Sequence, residues 1–155
     1  MKIAAIVLGM IVVVLLAVLI FVPGPKATTG IPQSGAVLSP QPIVSSDGHV
    51  QVFSPAENQA IVSPVAILGT VTGGGWFFEA TFPVKVLDGD GTVLGQGMAQ
   101  AGGAPGNWMS TGSVPFTAAI TFKTPKLSMG TIVLSKDNPS GLPQNAGELR
   151  IPIKF

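Results

Sequence analysis

A chain with one histidine, His49, and no cysteine has few ways to do chemistry. Thiolate nucleophiles, disulfides and thiolate metal sites are excluded outright. A serine nucleophile would need His49 as its base. That residue follows "SSDG" at the start of the first strand-like segment, which suits a solvated surface position better than a triad. Glu57, Glu79, Asp88, Asp90, Asp137 and Glu148 supply carboxylates, but none pairs at a spacing that forces two together for acid–base work. "DGDG", residues 88–91, has the look of a calcium loop, yet the position that should carry a bidentate glutamate holds Ala99. Between two strand patterns the same residues read as a hairpin turn in which Asp-Gly supplies positive φ. "TVTGGGW" lacks the Gly-Lys-Ser/Thr of a phosphate cradle and reads as a loop. "KDNPSG", residues 136–141, has the composition of a turn. The expectation is therefore no catalytic residue, no metal and no cofactor.

What remains is the stretch "GGGWFFEATFPVKVLDGDG", which packs a Trp and three Phe into a chain only 6% aromatic. It must be positioned by strands, because period two dominates this half of the sequence. Alternation sets Phe78, Phe82, Val84 and Val86 on one face and Phe77, Glu79, Thr81 and Lys85 on the other. "FTAAITF" and "ELRIPIKF" alternate in the same way, so that Phe116, Ile120 and Phe122, and Leu149, Ile151, Ile153 and Phe155, point inward. Pro152 lacks a ladder donor, which predicts a sheet edge or an outward position for it. Further strands are expected over residues 50–53, 65–71, 93–101 and 131–136. Seven short strands separated by Pro, Gly, Asn and Asp describe an all-β, immunoglobulin-like antiparallel β-sandwich over residues 49–155.

On this pattern Phe78 and Phe82 belong to the core. Trp76, Phe77 and Glu79 form the expected partner-binding site, with the reservation that a bulge at the preceding glycines would exchange Phe77 and Phe78.

Upstream, residues 3–22 contain no charge and are long enough for a helix that spans the hydrocarbon layer. A signal peptide would be shorter and end in small residues; here Pro25 follows the nearest acceptable site. An uncleaved signal-anchor is expected over residues 1–22, with Lys2 favouring a cytoplasmic N-terminus and the remainder outside the cytoplasm. Residues 23–48 are rich in Pro, Gly and Ser and read as a tether. Net charge is +1 with no basic block, so nucleic acid is excluded as a partner.

The order "VFSPAENQAIVSPVAILGTV", "WFFEATFPVKVLDGDG" and "SKDNPSGLPQNAGELRIPIKF" resembles the immunoglobulin-like domain of bacterial spore-germination proteins, of the Gmad type. The resemblance implies an extracytoplasmic, all-β domain without catalytic residues. In the family's better-known setting the domain accompanies a GerMN domain, which these residues do not encode. The combined expectation is a membrane-tethered binding or assembly module of the bacterial cell envelope, whose partner is another envelope protein. The alternative is a module that binds cell-wall glycan through Trp76, Phe77 or Trp108.

Overall fold

The computed structural model describes residues 41–73 and 75–155. The chain divides into two units, residues 1–37 and 38–155, and every described residue belongs to the second. The expected anchor over 1–22 and most of the expected tether lie outside the described residues. Among the described residues no helix is long and apolar enough to cross a membrane.

Eight antiparallel strands make one sheet: β1 (Ile43–Val44), β2 (Val50–Ser54), β3 (Val65–Thr72), β4 (Thr81–Asp88), β5 (Val93–Ala101), β6 (Ser113–Ile120), β7 (Met129–Ser135) and β8 (Glu148–Lys154). Their order is β1-β2-β3-β6-β5-β4-β7-β8. The seven expected strands are all present, most within two residues of their expected limits. β1 is additional, and it lies inside the segment read as tether, so the sheet begins before His49.

The layers are also less separate than in a two-sheet sandwich. β5 reaches β6 through the pairs Gln100↔Thr117 and Ala101↔Phe116, which join one layer to the other. At the opposite edge the β2–β3 connection lies along β8: Asn58 N–H donates to the Pro152 carbonyl at 2.8 Å, and Lys154 N–H to the Gln59 carbonyl at 3.0 Å. The sheet thus nearly closes on itself as a barrel does. Pro152 is exposed on this terminal strand, and its carbonyl points away from β7, so the missing donor costs the ladder nothing.

Alternation explains the core. β6 and β8 bury every second residue, as does β3 with Val65, Ile67, Gly69 and Val71. Across the layers Phe82 meets Phe116 edge to face, with ring centroids 5.0 Å apart. Gly69 is required here, because a Cβ would stand 2.6 Å from the Phe116 ring. Phe122 and Phe155 are only partly buried and pack on each other at the rim, 5.7 Å apart.

Candidate interaction end of the sheet

Four connections meet at one end of the sheet: the 45–49 turn, the 73–80 and 102–112 loops, and the 136–147 loop. Trp76 ties most of them together. Its indole N–H donates to the Asp47 carboxylate at 2.9 Å, and its carbonyl accepts the Asp137 N–H at 3.1 Å. Its ring stands edge-on to Phe82, 5.9 Å away, while Gly147 leaves room beside it: a Cβ there would lie 3.4 Å from the indole. The Gly73 N–H donates to the Thr111 carbonyl at 3.1 Å and binds in the 102–112 loop. Trp76 is 1% exposed, so this is a buried hub rather than a binding platform.

Phe77 is also buried, at 6%, whereas Phe78 is 48% exposed. The expectation of an inward Phe78 and an outward Phe77 is therefore corrected. Counting alternation back from Phe82 assumed one unbroken strand. Instead, Glu79 and Ala80 have φ of 48° and 65°, and Phe78 and Thr81 exchange backbone hydrogen bonds of 3.0 Å each way. This is a two-residue hairpin turn with both central residues left-handed. Pairing Phe78 with Thr81 sets Phe77 opposite Phe82, on the same face, where the rings lie 5.4 Å apart. Of the three expected site residues only Glu79 is exposed, and the glycan alternative loses Trp76 and Phe77 as an open platform; Trp108 is half-buried against the core.

Ser45, Asp47 and His49 stand close together, but their wiring is not that of a triad. The Ser45 hydroxyl donates to Asp47 and accepts the Val50 N–H at 2.9 Å. Asp47 accepts the backbone N–H of His49 at 3.0 Å, and the His49 ring is engaged with the Thr72 carbonyl, 2.7 Å away. No nucleophile-to-imidazole-to-carboxylate relay is formed; the three residues cap the turn and hold it to β3. The Asp47 carboxyl lies below its ordinary value of 3.8: burial works to raise it, and is outweighed by the Ser45 hydroxyl, the His49 N–H, the Trp76 indole and the charge of His49.

At the far end of the sheet, "DGDG" is the β4–β5 turn, with Gly91 at φ 85°. Asp88 is 3% exposed, and its carboxylate accepts the N–H groups of Gly89 (2.9 Å), Lys126 (2.9 Å) and Leu127 (3.2 Å). It fastens the β6–β7 loop, a role that spacing along the sequence could not reveal. Among the described residues no group of three or more His, Asp or Glu side chains is arranged to hold a metal ion.

With Trp76 and Phe77 inside, the loops of this end present other apolar side chains to solvent: Phe78, Met109 at 66% exposure, and Leu142. The Leu142 loop is braced by its own polar side chains. Asn138 donates to the Leu142 carbonyl at 2.9 Å, and the Ser140 hydroxyl links Asn138 and Asn145.

No curated protein and no solved structure matches the chain. The family of the immunoglobulin-like domain of bacterial spore germination, Gmad2, matches residues 49–142, which is more than half of the chain and runs from the start of β2 into the Leu142 loop. The all-β antiparallel sheet agrees with that description, and the chain belongs to the Gmad2 family.

Proposed function

We propose that this protein is a non-catalytic binding module of the bacterial cell envelope, held at the membrane by residues 1–22, which engages another envelope protein through the loop end built on Trp76. The observation that carries this reading is that the buried Trp76, with the Gly73 to Thr111 hydrogen bond, ties the loops of this end together while Phe78, Met109 and Leu142 stay exposed on three of them. Large apolar side chains held on rigidly anchored loops are what protein interfaces use as anchors. Glu79, Lys136 and Asp137 add charges of both signs among them, a composition suited to the polar rim of a protein contact. The family description ties the module to spore germination, and a role in assembling germination machinery is the process we infer. A photo-crosslinking residue placed in turn at positions 78, 109 and 142 of the full chain, in intact cells, should give one discrete adduct with a different protein, while position 96 on the β5 surface gives none. Adducts that are equal at all four positions, or absent from the three loops, would overturn the proposal.

A further inference from the structure

β8 ends the sheet, and its outer edge is divided in two. The C-terminal half is covered by the β2–β3 connection: Lys154 N–H donates to the Gln59 carbonyl at 3.0 Å, the Lys154 carbonyl accepts the Ile61 N–H at 3.0 Å, and the Pro152 carbonyl accepts the Asn58 N–H at 2.8 Å. Alternation turns the backbone of Glu148 and Arg150 to the same side, away from β7. Among the described residues no backbone group pairs with either of them on that side. Space lies beside them as well, in a cleft of about 560 Å³ lined by Ser46, Lys136, Ala146, Gly147 and Glu148. Two N–H donors and two carbonyl acceptors thus stand at strand spacing along a cleft that adjoins the loop end.

We infer that an extended segment of the partner protein adds to this edge as a further antiparallel strand; the inference rests on the loop-end reading above. The groups on the edge say what fits it. An antiparallel strand exchanges two N–H···O bonds with Glu148 and two with Arg150. Pairing stops at Pro152, which has no N–H and whose carbonyl is already taken by Asn58. The charges then specify the segment. Glu148 and Arg150 lie on the same face of β8, bonded to each other at 2.9 Å, with side chains 43% and 59% exposed. Residues directly opposite on neighbouring strands interact, so the segment carries an acidic residue facing Arg150 and, two residues later, a basic one facing Glu148. An anionic polymer or lipid surface would be repelled at Glu148. Running antiparallel to β8, the segment leaves the edge toward the 136–147 loop and Leu142.

In the full chain, in intact cells, a photo-crosslinking residue at position 146, exposed in the cleft, should capture the same protein as one at position 78. Two variants separate strand addition from mere proximity. Arg150→Pro removes an outward N–H that β7 does not use, a loss that this strand already tolerates at Pro152. The exchange of Glu148→Arg with Arg150→Glu keeps the ion pair and the net charge but reverses both cross-strand charge pairs. Each should lower the position 146 adduct at least about tenfold, with a melting temperature within a few degrees of the parent. The position 78 adduct tests the loop-end reading by itself. If it forms while position 146 gives none, the inference falls and the loop-end reading stands; if neither forms, both fall. A position 146 adduct that survives both variants undiminished, or that joins two copies of this chain, would also overturn the inference.

Discussion

Phe77 and Phe78 are neighbours of one type with opposite fates, and the difference should be measurable. Phe82 has no exposed surface and touches Trp76, Phe77 and Phe116. Phe82→Ala should lower the unfolding free energy by about 3–5 kcal/mol and Phe77→Ala by nearly as much, while Phe78→Ala should cost less than about 1 kcal/mol. Urea denaturation of the three variants checks the ranking. Asp47 carries a second prediction. Its folded pKa is depressed, so the stability it contributes is fully present above its ordinary value of 3.8 and is lost as pH falls through the lower, folded value. Asp90 is lowered in the same direction, first by the N–H of Thr92, but it is fully exposed on the turn at the other end. Asp47→Asn should therefore flatten the acid limb of the stability–pH profile more than Asp90→Asn does, and Trp76→Phe should flatten it partially by removing one of the donors to Asp47. An unchanged acid limb in Asp47→Asn would show that the carboxylate is not part of the hub.

The elements are unevenly legible in this sequence, for physical reasons that differ from one to the next. β6 and β8 were legible because one face of each is buried and the other solvated, which stamps period two on the residues. The turn at Glu79–Ala80 was not, because neither residue is the Asn or Gly that a left-handed pair normally demands, and missing it inverted the assignment of Phe77 and Phe78. β1 escaped because two residues between prolines and serines carry no period at all. The Glu79–Ala80 turn stores a conformational cost that substitution should release: Ala80→Gly, alone or with Glu79→Asn, is expected to raise stability by about 1 kcal/mol in the same denaturation assay. The opposite sign would mean that the left-handed pair is not populated. Asp88→Ala should do the reverse, costing about 1–3 kcal/mol or more, because three backbone N–H groups lose their acceptor. Hydrogen exchange should then rise first at Lys126 and Leu127.

At the scale of the molecule, a single sheet is folded over its core so that its connections divide into two ends; Val62 and Leu127 are exposed on connections at one end, and at the other Phe78, Met109 and Leu142 are exposed on three connections gathered around the buried Trp76. The all-β, antiparallel class could be read from alternation. The candidate site could not, because it depends on a contact between Asp47 and Trp76, 29 residues apart, and on a turn that moves Phe78 outward. Partner recognition at this end, with Trp76 as scaffold, is the function we propose. It is tested most directly by the combined variant Phe78→Ala, Met109→Ala, Leu142→Ala in the full chain, with a photo-crosslinker at position 79 reporting partner contact and thermal melting reporting the fold. The partner adduct should disappear while the melting temperature moves by no more than a few degrees. An adduct of undiminished yield, or a melting temperature that falls as far as in Phe77→Ala, would contradict it.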